Sequence, residues 1–145
     1  MKSLWRMWLL IGAVVILSAC GSAPAELPQA LEKIESPAAL SAEANTIIEG
    51  WKREARAGML EGLVKEESIE EIAYQSTSSM NAVVEYYNRL LGADDWVYLT
   101  RTPGEQQGFY LAGYSHSNAS IVFGVLDLTK FGQSGSYVYL LRGTK

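Results

Sequence analysis

The sequence predicts an α+β domain, and the spacing of its apolar residues indicates this. Between residues 80 and 91 apolar residues recur every three or four positions, which is typical of one face of a helix. After residue 92 they alternate with polar residues and are rich in aromatic and β-branched side chains, as in strands. One further strand precedes this helix. We therefore expect an antiparallel sheet of about five strands, in the order strand, helix, four-strand meander, with one helix across a face and an additional N-terminal helix.

The first twenty residues have the pattern of a secretory signal. Lys2 and Arg6 precede an apolar run over residues 9–19, and small residues follow. The run ends in Leu17-Ser18-Ala19-Cys20, which resembles the lipobox of bacterial lipoproteins. The resemblance implies that residues 1–19 are a signal peptide that is removed. It also implies that the Cys20 sulfur receives a diacylglyceryl group and that Cys20 becomes the first mature residue.

An uncleaved membrane anchor and an unlipidated secreted protein are the alternatives. The apolar run has eleven residues, whereas a helix that spans a bilayer needs about 20. Extending the run backwards would bring Arg6 into the hydrocarbon, at a cost of about 2.5–3.5 kcal/mol near its centre. The lipobox is therefore the favoured interpretation.

The resemblance also implies a location. Gly21 and Ser22 follow Cys20, and neither is the aspartate that is associated in this family with retention at the inner membrane. In a host with two membranes, we expect a lipid anchor in the periplasmic face of the outer membrane. In other hosts, we expect the outer face of the cell membrane.

Charge and cysteine content limit the remaining functions. All 16 acidic residues but only 10 of the 12 basic residues follow residue 19, so the mature chain has a net charge of −6. Nucleic acids and anionic head groups both attract clusters of Lys and Arg, so a surface of this sign argues against both as partners, and we expect no nucleic-acid partner. Cys20 is the only cysteine, which excludes an intramolecular disulfide.

We expect three segments: the signal peptide over residues 1–19, a flexible lipid-anchored tether over residues 20–41, and one α+β domain over residues 42–145. The tether prediction depends on a stretch rich in Ala, Ser and Glu that carries Pro24, Pro28 and Pro37. Prolines at this spacing interrupt regular structure and favour extended chain.

The domain begins with a predicted helix over residues 44–57, which ends at Gly58. Residues 59–65 have no clear pattern and are expected to be irregular. A first strand is predicted over residues 69–76, with Ile72 and Tyr74 on one face. The apolar face of the helix consists of Ala44, Ile47, Ile48, Trp51 and Ala55.

The second helix is predicted over residues 80–91, with Gly92 as its left-handed C-terminal residue. Glu85, Asn88 and Arg89 are expected to face solvent. Four strands are predicted after it, over residues 96–100, 108–114, 120–127 and 136–142, with turns between them. The apolar stripe of the helix consists of Met80, Val83, Val84, Tyr87, Leu90 and Leu91.

The sequence from Tyr86-Tyr87 through Leu90-Leu91 to Trp96 resembles a unit of small secreted bacterial domains of unknown function. In those domains an aromatic–Tyr pair on a helix is followed by Gly-Trp at the start of the next strand. Here Asp95 occupies the position of the glycine. The resemblance covers residues 68–141, supports the predicted fold and implies no activity.

No pattern in the sequence indicates catalysis. His116 is the only histidine and lies in a predicted turn, so a metal site or a nucleophile–base pair lacks its partners. Asp94-Asp95 is expected in a turn, where aspartate is common. The run from Glu66 to Glu71 is expected to be a solvated face. We predict no catalytic residue, no metal and no cofactor.

Aromatic residues are the remaining indication of function. If the protein has a binding surface, we expect it on the sheet face opposite the second helix, with Tyr110, Tyr139 and Trp96 exposed there. The alternative is that the first helix covers this face and that these residues belong to the core.

Together these patterns predict an envelope lipoprotein, held at the membrane by the lipid on Cys20, with a non-catalytic binding or scaffolding role. An envelope protein or a glycan is the expected partner. The alternative is an enzyme, or an accessory of an enzyme, that acts on cell-wall material.

We expect Cys20→Ala to abolish lipidation and to release the protein from the membrane fraction, because the chain has no other thiol to carry the anchor. Fractionation of cells followed by mass spectrometry of the mature N-terminus measures this. Ser22→Ala is the control and is expected to stay anchored. A Cys20→Ala protein that is still processed and still membrane-bound would contradict the lipoprotein interpretation.

Overall fold

The structure is a computed structural model, and it describes residues 27–93, 97–102 and 108–145, with the backbone alone for residues 93 and 97–102. Cys20 lies outside the described residues. The described elements are two helices and five strands, together with two short 3-10 turns at Glu66–Ser68 and Leu128–Phe131. In chain order the main elements are α1 Ala42–Glu61, β1 Glu70–Ser76, α2 Met80–Ala93, β2 Val97–Thr102, β3 Phe109–His116, β4 Ala119–Asp127 and β5 Ser136–Thr144.

The five strands form one antiparallel sheet in the order β1-β5-β4-β3-β2. Strands β2 to β5 are a meander, and β1 pairs with the last of them. Because β1 and β2 lie at opposite edges, α2 connects them across one face of the sheet. The α+β class and the arrangement predicted from sequence are confirmed.

The periodicity of α2 places its apolar stripe on the sheet. Met80, Val83, Tyr87 and Leu91 are buried against residues of β1, β3, β4 and β5. Two local predictions are wrong. The helix continues through Gly92 to Ala93, so Gly92 is not its C-terminal residue. Asn88 does not face solvent, because its half-buried amide forms hydrogen bonds with Tyr110 and Tyr114 of β3.

Helix α1 covers the opposite face and is longer than predicted. The Ser41 hydroxyl accepts from Ala44 N–H at 3.1 Å and caps its start. Gly58 does not end the helix, because one more turn buries Met59 in the core, which outweighs the helix penalty of about 1 kcal/mol for glycine. Within the described residues, neither helix is long and apolar enough to cross a membrane.

The strand predictions are right within two residues at each end. Ser117 has φ 52° and forms a two-residue turn with Asn118 between β3 and β4. Ile72 and Tyr74 share a face as predicted, but only Tyr74 is buried, while Ile72 is 40% exposed. The predicted turn at Pro103-Gly104 lies outside the described residues.

The predicted flexible tether differs from the structure after residue 26. Residues 27–40, here named the strap, cross the free edge of β1 from the α2 face to the α1 face. Leu27 and Leu31 pack against the core under α2, and Leu40 packs against the core under α1. Partial burial of these side chains and pairing with β1 hold the strap on the domain, so the folded unit begins well before residue 42.

We expect Tyr87→Ala to lower the free energy of unfolding by about 3–5 kcal/mol, because the ring is fully buried beneath α2. Chemical denaturation monitored by circular dichroism measures this. Glu85→Ala, on the exposed face of the same helix, is the control and should change it by less than about 0.5 kcal/mol. Equal midpoints for Tyr87→Ala and the wild type would contradict the placement of this face.

Candidate binding groove

The sheet face opposite α2 is only partly covered by α1. Helix α1 packs mainly on β4 and β5. Its Trp51 ring reaches Phe109, at 5.0 Å between ring centroids, at the start of β3. Towards the turn between β3 and β4, a gap opens between the second half of α1 and β3.

This gap is an apolar cavity of about 330 Å³, here named the β3–α1 groove. Its volume lies at the lower end of the range of about 300–1,000 Å³ that is usual for small-molecule sites. Ala55 and Met59 form the helix wall and are buried, whereas Leu111 and Val122 form the sheet wall and are half-buried. The other described residues that line it are Glu54, Gly58, Gly62, Val64, Ala112, Gly113, Tyr114, Ser120, Ile121 and Lys145.

Two glycines set the position of α1 over the sheet. A Cβ on Gly124 would lie 3.4 Å from the Trp51 ring and 3.2 Å from Leu111, and a Cβ on Gly143 would collide with Val64. Glycine therefore allows Trp51 to lie on β4, and Val64, just after α1, to lie on β5. Because α1 and the turn after it pack on β4 and β5, an apolar surface of β3 remains uncovered.

One end of the groove is polar. Ser115 and Ser120 pair across β3 and β4 and therefore share the α1 face. Lys145 Nζ lies 3.4 Å from Ser115 Oγ, and the Lys145 backbone N–H is held by Asn118 O at 2.7 Å. Ser120 is 7% exposed and lines the cavity. Two hydroxyls and an ammonium group therefore collect at the end where β3 turns into β4.

Exposed leucines lie in the last turn of α1 and just after it, beside the groove. Leu60 is 38% exposed and Leu63 is 80% exposed. Leu63 also has φ +67°, an unfavourable backbone conformation for leucine. It lies between Gly62 and Val64, which both line the groove. The apolar surface thus continues from the groove onto the adjoining turn.

Two of the three residues predicted to form the binding face are buried in the core instead. Tyr110 is 2% exposed and lies on the other face, under α2, while Tyr139 is 1% exposed and lies beneath α1. Both predictions of exposure are wrong, because each helix buries the tyrosines on its own side. Trp96 lies outside the described residues. The open part of the predicted face instead presents Leu111 and Val122, whose aliphatic side chains give no distinctive sequence signal.

A wider polar depression of about 550 Å³ lies at the opposite end of the sheet, beside the start of α2. Thr77, Asn81 and Lys130 line it. Asp127, also in its wall, accepts bonds from Thr129 N–H at 3.0 Å and from Thr129 Oγ1 at 2.6 Å. That carboxylate is engaged locally and caps the turn that follows β4.

The described acidic residues that we expected to be solvated are largely exposed, and several form ion pairs. Glu66 contacts Arg56 at 3.2 Å, and Glu71 contacts Lys52 at 3.0 Å. Asp94 and Asp95 lie outside the described residues. Within the described part of the chain, no cluster of three or more His, Cys, Asp or Glu side chains could hold a metal ion. Glu54 is the one acidic side chain among the described residues that line the groove.

The strap is held by a chain of buried hydroxyl groups. Tyr87 Oη donates to Gln29 O at 3.2 Å, so its 2.6 Å contact with Tyr74 Oη is a bond that Tyr74 donates. Tyr74 Oη in turn accepts from Leu31 N–H at 3.1 Å. The two rings thereby satisfy one donor and one acceptor of the strap backbone inside the core.

Strand β1 adds further bonds to the backbone of the strap, from both its own backbone and its side chains. Ile34 N–H donates to Gln75 O at 2.8 Å, and Ser76 Oγ donates to Leu31 O at 2.8 Å. Further along, Gln75 Nε2 donates to Ala38 O at 2.7 Å. These bonds cover the half of the β1 edge that lies furthest from the groove.

We expect alkaline pH to destabilise the fold through these tyrosines. Burial raises the pKa of both Tyr87 and Tyr74 above 10, so the folded state keeps protons that the unfolded state loses. The contribution of the two tyrosines to the free energy of unfolding is complete below about pH 10. Above that pH it declines by about 1.4 kcal/mol per pH unit for each tyrosine.

Urea denaturation between pH 8 and pH 11.5 measures this slope. The free energy of unfolding of Tyr87→Phe should fall less steeply above pH 10, because only one of the two buried tyrosines can still titrate. Identical slopes for the wild type and Tyr87→Phe would contradict this account.

Comparisons with known proteins give no relative for this chain. No protein-family model matches it, and neither a curated protein nor a solved structure does. The functional interpretation therefore depends on the groove, the strap and the sequence at Cys20.

Proposed function

We propose that the protein is a lipid-anchored binding protein of the bacterial envelope, without catalytic activity, and that the β3–α1 groove is its binding site. The lipid on Cys20 is its link to the membrane. The location is the periplasmic face of the outer membrane in a host with two membranes, and the outer face of the cell membrane otherwise.

The observation that carries the proposal is the partly open apolar surface of β3 beside α1. Leu111 and Val122 are only half-buried although they lie in the middle of their strands. An apolar cavity with a few polar groups at one end is the usual form of a ligand site. Covering these side chains with an apolar group of a partner is favourable by about 25 cal/mol per Å².

The alternative of an enzyme acting on cell-wall material has less support. Hydrolysis of a glycan generally uses two carboxyl groups that face one another across the scissile bond. Glu54 is the one acidic side chain among the described residues that line the groove. Binding of an envelope protein, a glycan-linked group or a lipid requires no second carboxylate.

A groove-filling variant tests the proposal. Gly58 lies in α1, lines the groove and has no neighbouring atom within 4 Å of an added Cβ. Because an added Cβ meets no atom, we expect Gly58→Phe to place its ring at the groove and, since glycine disfavours helix, to keep or raise stability. Gly50→Phe is the matched control, because Gly50 is also a helical residue of α1 with open space at its Cβ, and it does not line the groove.

The measurement is photocrosslinking in intact membranes, with a benzophenone amino acid replacing Leu111. We expect a covalent adduct, detected by mass spectrometry, that Gly58→Phe removes and Gly50→Phe preserves. The same probe at Ile72, which is exposed at the β1 edge, is the surface control. Absence of an adduct at Leu111, or equal adducts at both positions, would contradict the groove as the binding site.

A further inference from the structure

We propose that the β3–α1 groove takes one amphipathic helix of a partner protein, with the apolar face of that helix on β3 and its basic side chains towards α1. This inference rests on the proposed function and names the class of its partner. Such a helix requires an open position beside α1, an apolar floor beneath it and an acidic wall along it, and the described residues provide all three.

The described elements leave one helix position open on the α1 face of the sheet. Helix α1 packs mainly on β4 and β5, and among the described elements β2 has extensive contacts only with β3. Strands are spaced by about 4.8 Å, so the midline of β3 and β2 lies about 9.6 Å to the side of the midline of β5 and β4. Packed helices are separated by about 8–10 Å, so this strip of the sheet has room for one helix beside α1.

The floor of this position is apolar. Leu111 and Gly113 lie on the α1 face of β3, and Val122 of β4 lies directly opposite Gly113 on the same face. The side chains of Leu111 and Val122 are half-buried and therefore still offer apolar surface. A glycine in the floor allows another backbone to approach closely. In the α1 wall, Gly58 likewise has no atom within 4 Å of an added Cβ.

The wall that α1 presents to this position is acidic. Glu54 lines the groove, and Glu61, two helical turns later, shares its side of α1. Both side chains are exposed, and neither forms an ion pair with a described residue. Two carboxylates without described counterions thus lie along the flank of α1 that faces β3.

Two of the three basic residues of α1, Lys52 and Arg56, lie on its other flank. Lys52 pairs with Glu71 of β1 at 3.0 Å, and Arg56 pairs with Glu66, just before β1, at 3.2 Å. Lys145 is the one basic side chain among the described residues that line the groove, and it lies at the end where β3 turns into β4. A helix beside α1 therefore meets carboxylates along its length, and lysine or arginine on its flank complements them.

Leu63 is an independent indication that this surface contacts another molecule. It has φ +67° and is 80% exposed, at the position after a helix where glycine is usual. The bond from Val64 N–H to Met59 O at 3.1 Å fixes this conformation. A leucine here is unfavourable in both backbone and exposure unless a partner buries it. Since Gly62 and Val64 both line the groove, Leu63 lies at its edge, within reach of a helix that occupies it.

Fluorescence anisotropy with three labelled peptides of about 14 residues, or four helical turns, tests the proposal. The protein is the mature chain, residues 20–145, with Cys20→Ser so that no lipid or detergent competes for the groove. The first peptide places leucine on one helical face and lysine on the other. The second has glutamate for each lysine, and the third arranges the composition of the first in strict alternation. We expect the first peptide to bind about tenfold more tightly than either other peptide, a difference of about 1.4 kcal/mol.

Two double variants test the acidic wall. Glu54→Gln together with Glu61→Gln should weaken binding of the first peptide severalfold, because both carboxylates lie beside the groove. Glu35→Gln together with Glu85→Gln is the matched control, since it removes the same charge from exposed residues that do not line the groove. The control should bind the first peptide nearly as the wild type does.

Two single variants test the position of the helix. Gly58→Phe should weaken binding of the first peptide severalfold, because its ring occupies the groove. Leu63→Gly should also weaken binding, although it keeps or raises stability, since glycine accepts a positive φ without strain. Thermal unfolding without peptide measures the stability of each variant.

Several results would overturn the inference. Equal or tighter binding of the alternating peptide would mean that an extended segment binds rather than a helix. Equal binding of the glutamate peptide, or equal effects of the two double variants, would mean that the acidic wall selects no basic partner. If no peptide binds, or Gly58→Phe leaves binding intact, the groove takes no such helix.

The proposed function fails separately from this inference. If the peptides do not bind but the probe at Leu111 still gives an adduct with a glycan or a lipid that Gly58→Phe removes, the groove remains the binding site and only the helical partner is wrong. If that adduct is absent as well, both proposals are wrong.

Discussion

The close approach of α1 to β4 and β5 determines the shape of this domain. Trp51 lies on Gly124, where an added Cβ would meet its ring at 3.4 Å, and Val64 lies on Gly143, where an added Cβ would collide with it. Two glycines in neighbouring strands thus draw the helix and the turn after it to one side of the sheet face. The residues of β3 on that face remain half-covered as a direct result, and the candidate binding groove is the space left over. Had α1 packed centrally, its apolar stripe would have covered Leu111 and closed the site.

The strap connects the proposed anchor to the fold at the other end of the sheet. It pairs with β1 at Gln75 and Ser76, which lie opposite Tyr137 and Ser136 of β5. The groove adjoins Gly143, about 24 Å further along β5. Seven residues from Cys20 to Leu27 span at most about 25 Å. If Cys20 carries a lipid as we propose, the domain stays close to the bilayer and its strap end is the attached end.

The buried tyrosines have a structural role that the groove residues do not share. Tyr74 and Tyr87 combine large apolar rings with hydroxyl groups that satisfy the strap backbone, and Tyr114 donates to the half-buried amide of Asn88. The ring of Phe123 lies between Tyr87, Tyr110 and Tyr114, with centroids at 5.4–6.0 Å. These contacts make the aromatic residues part of one packed layer under α2. Binding, in contrast, is assigned to aliphatic residues whose neighbours leave them partly uncovered.

The sequence by itself determined the α+β class, the apolar stripe of α2 and the strands within two residues, because these depend on local periodicity of side chains. The sequence also contains the motif at Cys20, which lies outside the described residues and is therefore not tested by the structure. Only the tertiary structure decided on which face each tyrosine lies, since Tyr110 and Tyr139 differ in face through the register of β3, β4 and β5. The docking of the strap was equally unpredictable, because its bonds join residues 43 to 58 positions apart. The groove depends on where a helix settles over a sheet, and that position follows from contacts between distant glycines and side chains rather than from any local pattern.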